Sequence, residues 1–298
     1  MKKLLLKIFL GALLLALPLS GLAAVQFEVD TGGTLTTGLV GYWKMDGDST
    51  DFFASADGTD SSVTYSSTTP KIGEYGVYNA GATTYTNITI PTSTDAFSVS
   101  FWAKFDAFSS IGGVVTAQVS GSPNAGGWIA IYTNASGELT TFARSGSSDF
   151  VNEATGDTLS TGTWYHVVQT WDSAGDGKVR VYIDGASPFV STGSSTTSMA
   201  GIPPMGFGGL QWANGSYDSW VNDGNQTSDV NVDEVGYWSK ALSSTEVADL
   251  YNSGSGQTMV EAPSGPANLK TYNAITKANW KTKQGISKSN IKTKNTIE

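Results

Sequence analysis

The densest concentration of groups able to do chemistry lies between Gly206 and Asn231. Trp212, Tyr217 and Trp220 stand there among Asn214, Asp218, Asn222, Asp223, Asn225 and Gln226. A flat ring can cover the apolar C–H face of a pyranose while short amides and carboxylates bond its hydroxyls, so this composition suits sugar recognition. The candidate ligand residues are Trp212, Tyr217, Asp218, Trp220, Asn222 and Asp223. For Trp212 a second reading stays open. Gly206 to Leu210 reads as a strand, which would carry Trp212 into a core.

Groups suited to catalysis are scarce. Glycan cleavage needs two carboxylates facing one cleft, and no Glu-x-Asp-x-Glu pattern occurs. Glu153 and Asp157 are separated by Gly156 and two further residues, in a stretch without clear alternation. His166, the one histidine, sits between Tyr165 and Val167 in an alternating run and reads as a structural side chain. A Ser-His-Asp arrangement would need it in an open cleft beside a serine. The chain has no cysteine, which removes thiolate nucleophiles, thiolate metal sites and disulfides together. No catalytic residue is assigned, and the chain is expected not to be an enzyme.

The elements that must position these groups read as strands. Short alternating runs are separated by Gly, Ser, Thr, Asn and Asp. Phe97, Val99, Phe101 and Ala103 share one face, with Ser98, Ser100 and Trp102 on the other. Trp164 to Trp171 alternates, Ser173 to Gly177 turns, and Val179, Val181 and Ile183 return on one face. Near the end Val232, Val235 and Tyr237/Trp238 form an apolar strand. Ser243 and Glu246 then have capping-box spacing before Val247, Leu250 and Tyr251, which share a helical face. The expected architecture is all-β, two antiparallel sheets packed face to face, with one short C-terminal helix.

Five of these segments, in order, resemble strands of bacterial laminin G-like domains, the concanavalin A-like jelly-roll family of lectins and glucanases. They are Gly38 to Asp46, Phe97 to Trp102, Trp164 to Val168, Val179 to Gly185, and Asp233-Glu234-Val235 with its Ala241-Leu242-Ser243 helix entry. The resemblance covers about Gly38 to Gly256 and implies that jelly roll, non-catalytic carbohydrate binding or adhesion through the rim loops of the sandwich, ahead of glycoside hydrolysis, and a structural calcium. Its implied ligands are Asp233 with Asp48, Asp51 and Asp57 from the loop between Asp48 and Asp60. The loop after Met45 departs from the family pattern. The alternative reading of the same aspartates is turn capping.

The two ends differ from the body. Lys2, Lys3 and Lys7 flank an apolar run extending to Leu19, and Gly21-Leu22-Ala23 fits a signal-peptidase site, so residues 1–24 are expected to be a signal peptide and the product secreted or at the cell surface. Residues 25–37 then read as a lead-in, 38–257 as the jelly roll, 258–267 as a linker and 268–298 as a tail. In the tail Asn268/Asn279/Asn290 and Ile275/Ile286/Ile297 recur every eleven residues. Between signal and tail, seven basic residues face 25 acidic ones, a charge near −18, while the tail sits near +6. Such a body does not seek nucleic acid, because counterion release requires positive charge. The expected partners are a glycan or cell-surface polymer, with self-association possible through the tail and no membrane span in the mature chain. The competing functional reading is a structural subunit of a cell-surface or phage fibre assembly.

Overall fold

Alternation along the strands dictates two sheets with a shared apolar interior. The computed structural model describes residues 25–79, 85–88, 93–108, 112–118, 127–145, 148–200, 205–207 and 229–261. One sheet has seven strands, in the order β12 (Ser148–Thr158), β11 (Glu138–Ser145), β10 (Trp128–Thr133), β9 (Gly112–Gln118), β17 (Met205–Phe207), β6 (Tyr85–Ile88) and β3 (Thr59–Ser61). The other runs β15 (Phe189–Ser194), β14 (Lys178–Ile183), β13 (Trp164–Asp172), β8 (Ala96–Ala107), β18 (Asp229–Trp238), β5 (Gly76–Asn79) and β4 (Thr64–Ser66). An eighth strand of that sheet, β2 (Leu39–Trp43), pairs with β18 beyond the end of β5. Within these two sheets the described pairings are antiparallel.

The interior between the sheets is built from one side of each strand. Phe97, Val99, Phe101, Ala103 and Phe105 of β8 meet Val167 and Trp171 of β13, Val230 and Val232 of β18, and Ile129, Ile131 and Ala143 of the facing sheet. A polar bridge crosses this core, Gln169 Nε2 donating to Thr141 Oγ1 at 2.7 Å. The eight-stranded sheet is apolar on its other side as well. There Tyr42, Val168, Tyr182 and Trp238 are covered by α1 (Ser244–Tyr251) and by Phe27, Leu35 and Met259. Ser243 caps α1 in a full capping box with Glu246, the reciprocal bonding that the spacing implied.

The terminal segments are less passive than a lead-in and a linker. Val25–Phe27 forms β1 and pairs with β19 (Met259–Glu261) in a two-stranded sheet of its own. Gln257 clasps the two ends, accepting from the Val29 N–H at 3.1 Å and donating to the Val29 carbonyl at 3.1 Å. A further two-stranded ribbon joins β7 (Ser93–Thr94) to β16 (Met199–Ala200).

The stretch around Glu153, which shows no clear alternation, is an edge strand. Its pattern is broken by register shifts in the β11 pairing, between Ala143 and Arg144 and between Glu138 and Thr140. Glu153 points across to β15, the edge of the other sheet, and accepts from the Thr192 N–H, the Gly193 N–H and the Thr192 hydroxyl at 2.9–3.1 Å. These bonds close one side of the sandwich and occupy edge amides that could otherwise pair with another chain. The seam leaves no room for a side chain at Gly193, where a Cβ would lie 1.7 Å from the Phe150 carbonyl oxygen. We expect Gly193→Ala to cost about 2–3 kcal/mol through overpacking. Its melting midpoint should fall by roughly 5–10 °C, measured by circular dichroism.

Candidate functional site

The expected ligand residues Trp212, Tyr217, Asp218, Trp220, Asn222 and Asp223 lie outside the described residues, as does the repeat tail. The described chain before them ends at Phe207 of β17, which pairs with β9, and resumes at Asp229 of β18.

The four aspartates implied as calcium ligands are all described, and each is committed to N–H or O–H donors of the chain. Asp51 is buried and accepts from the Tyr42 N–H on Oδ1 and from the Ser55 N–H, the Ser55 hydroxyl and the Ala56 N–H on Oδ2, at 2.7–3.2 Å. Asp57 accepts from the Asp51 N–H at 3.0 Å, and Asp48 from the Thr50 N–H at 2.9 Å. Asp233, on the far strand, accepts from Lys71, Ile72 and Glu234 N–H groups at 2.8–3.1 Å. Calcium needs six to eight oxygens converging on one point. Among the described residues no three Asp, Glu, His or Cys side chains gather in that way. These four do not fit a shared calcium; the turn-capping reading describes their bonding.

Asp233 and Glu234 occupy a bulge where β18 loses β5 as a neighbour and gains β2. Glu234 takes the left-handed backbone there, with φ at 48°, and the extra residue lets both Val232 and Val235 face the core. Both carboxyls are buried, and burial is the main cause that raises both above the ordinary carboxylate range, Asp233 to about 8. The charge of Asp233 adds to the rise at Glu234, and that of Asp46 to the rise at Asp233. The Tyr42 hydroxyl lies 2.5 Å from Glu234 Oε2, to which it donates, and 2.9 Å from the Gln257 carbonyl oxygen. The bonds of Tyr42 and Thr258 to Glu234 oppose the rise, and burial outweighs them.

The one histidine does lie beside a serine: Ser100 Oγ and His166 Nε2 are 2.8 Å apart. Both are buried, under Trp102 and Tyr251, whose rings flank the imidazole at 5.1 and 6.1 Å. Asp184 bonds the His166 backbone N–H rather than the ring, and burial lowers the His166 pKa to about 3. Glu153 is likewise held below the usual range by the β15 donors, although partial burial opposes them. The dyad fills a closed polar gap between β8 and β13 and fits a structural role.

A cluster that sequence reasoning passed over lies on the outer face of the seven-stranded sheet. Ile129 and Ile131 of β10 face the core, so Trp128, Ala130 and Tyr132 face away from it. Phe142 joins them from β11, its ring 4.1 Å from that of Trp128, and the Arg144 guanidinium carbon sits 5.2 Å from the Trp128 ring. Tyr132 is half-buried and donates to Oδ1 of the exposed Asn152 at 2.7 Å. Trp128 and Phe142 are thus a buried floor, with Tyr132 and Asn152 at its open margin. By register the Phe142–Ala130 row continues through Thr116 and Gly206 to Asn87. The half-buried Tyr132 ring and the exposed Asn152 amide are the groups of this cluster that a flat polar ligand could stack on and hydrogen-bond. Both sides of β10 are apolar, so alternation did not tell which side faced out. The signal available was Trp128 and Tyr132, four residues apart on the side opposite Ile129 and Ile131.

Two antiparallel sheets over a shared apolar core define a β-sandwich of jelly-roll type. The chain belongs to the concanavalin A-like lectin/glucanases superfamily, whose laminin G-like model matches residues 76–248. No curated protein matches it. Among solved structures it is similar to Trypanosoma rangeli sialidase in complex with 2,3-difluorosialic acid, with TM-score 0.54, 18% identity, and coverage of 76% of this chain but 35% of the sialidase. It is also similar to the binding domain of botulinum neurotoxin serotype G, with TM-score 0.50, 15% identity, and coverage of 72% and 50%. The chain spans about a third of the sialidase it matches, and at these identities the likeness is one of fold.

The buried acid pair makes a test of pH dependence. A raised carboxyl pKa means the folded state binds more protons than the unfolded chain, so stability falls as pH rises. The contribution is complete below the unfolded values near 4 and is lost as pH climbs to the folded value, about 8 for Asp233. The melting midpoint should decline from pH 5 to pH 9. Glu234→Gln, whose amide oxygen can accept from Tyr42 without titrating, should flatten that decline; parallel curves for both proteins would contradict the assignment.

Proposed function

We propose that this chain is a non-catalytic carbohydrate-binding or adhesion protein that acts outside the cell and takes a neutral polysaccharide on the outer face of its seven-stranded sheet. One observation carries the reading: Trp128, Tyr132, Phe142 and Asn152 are gathered on the side of the sheet turned away from the core. The outer side of an antiparallel sheet is ordinarily polar, and aromatic side chains there are suited to the C–H face of a sugar. Membership of a lectin and glucanase superfamily supports binding of this class. The neutral preference follows from charge, since a body near −18 repels polyanions at the encounter stage.

Probing the full chain on an array of neutral and acidic polysaccharides tests the reading, and binding to at least one neutral polymer is expected. Tyr132→Ala removes the half-exposed ring and its bond to Asn152. It should weaken that binding about tenfold or more, equivalent to ~1.4 kcal/mol, while folding is retained. Equal affinity of the variant and the parent would remove the outer face from the mechanism, and an array without any signal would remove carbohydrate binding itself.

A further inference from the structure

Among the described residues only two large apolar side chains are exposed, Val190 on the β15 edge and Phe53, at 38%, on the loop Asp51 to Asp57. A lone exposed hydrophobe needs no explanation by itself. Phe53 differs in how it is held. The chain before it is pinned by the Phe52 N–H donating to the Tyr42 carbonyl at 2.8 Å, and the chain after it by the Ser55 and Ala56 N–H groups on Asp51. Trp43 Nε1 donates to the Ala56 carbonyl at 2.9 Å and closes the loop from below.

At the tip, Ala54 takes φ of 52°, a left-handed conformation that costs a residue with a side chain about 1–2 kcal/mol. The Phe52 ring meets Phe53 edge to face at 5.7 Å and 86°, and the Lys44 ammonium lies 5.0 Å from the centre of the Phe52 ring. An exposed ring is therefore presented on a stiff, locally strained loop; the exposed Ser55 hydroxyl and Asp57 Oδ1 beside it are bonded to Asp51, which leaves Asp57 Oδ2 as an acceptor in the same loop. Strain of this kind persists where the surroundings over-determine it, and it clusters at binding sites.

We propose that Phe53 is a stacking platform for the C–H face of a sugar ring, a contact separate from the outer-face cluster. The proposal rests on the carbohydrate-binding reading above. One ring flanked by short polar groups suits a single pyranose better than a protein partner, which requires a wide buried patch. Because the loop is already ordered, binding does not have to order it, and that cost is removed from the affinity.

The test compares the full chain with Phe53→Ala and Phe53→Trp by affinity electrophoresis in soluble β-1,3-glucan, xylan, mannan and amylose, with melting curves in parallel. Phe53 is exposed and touches the core only through Phe52, so both variants should melt within a few degrees of the parent, as exposed substitutions do. Phe53→Ala should reduce retardation by the bound polymer about tenfold, and Phe53→Trp should keep it. The added indole should also become shielded from iodide quenching when polymer is present. If Phe53→Ala is retarded like the parent while Tyr132→Ala is not, the Phe53 platform is wrong and the outer-face reading stands. If no polymer retards the parent, both fall together.

Discussion

The structure turns on one irregularity, the bulge at Asp233 and Glu234 in β18. This strand lies inside the eight-stranded sheet, with β8 on one side and first β5, then β2, on the other. A strand of uniform pleat would keep even-numbered residues on one face throughout. One extra residue changes the parity, so Val230 and Val232 before it and Val235 and Tyr237 after it all reach the core, while Trp238 goes to the opposite face beneath α1. The gap between the end of β5 and the start of β2 has to be filled by something polar, because backbone amides there lack a ladder partner. Asp233 fills it from one side by accepting from Lys71 and Ile72, and Glu234 from the other through Tyr42. Two buried acids are the consequence of a sheet whose neighbour changes halfway along a strand.

The same use of carboxylates recurs wherever the chain turns. Asp51 organises the loop to Asp57, Asp46 accepts from the Glu74 and Tyr75 N–H groups, and Asp30 accepts from Thr34 and Leu35. Asp249 and Glu246 on α1 hold Thr31 and Thr34 of the N-terminal segment, and Glu153 closes the β12 and β15 edges. A hydrogen bond to a charged group contributes about 1.5–3 kcal/mol, more than a neutral one. In a chain without cysteine these contacts take the place of covalent staples between loops. The acidic excess is thus partly architectural, and a count of aspartates says little about metal binding until each carboxylate's donors are known.

What could be read from the sequence follows from periodicity. The β8 alternation from Phe97 to Ala103, the β13–β14 hairpin and the Ser243 capping box are all local patterns, and each is present in the structure. What could not be read depends on residues distant in sequence. Glu153 shows no pattern because its strand is an edge with shifted register, and its partners Thr192 and Gly193 are about forty residues away. Val25–Phe27 looks like a lead-in because its pairing partner, Met259–Glu261, is at the other end of the sandwich. Trp128 to Tyr132 is apolar on both faces, and only the identity of the facing sheet tells core from exterior. Asp51 and Asp233 were legible as acids of interest, but the donors that satisfy them come from the folded backbone, which has no signature in residue type.

Ala54 shows how such a fold can hold a surface loop in a conformation its residue disfavours. A glycine would adopt φ of 52° without penalty but would also loosen the loop through the larger entropy of its unfolded chain. An alanine there costs about 1–2 kcal/mol of backbone strain. The four hydrogen bonds that Asp51 accepts, two of them from backbone amides directly after Ala54, are large enough in sum to offset it. Since Asp51 is also tied to Tyr42, and Tyr42 to Glu234, the loop shares its anchor with the β18 bulge. The stiffness of the rim therefore comes from the sheet beneath it, through a chain of contacts that begins at the one place where the sheet departs from regularity.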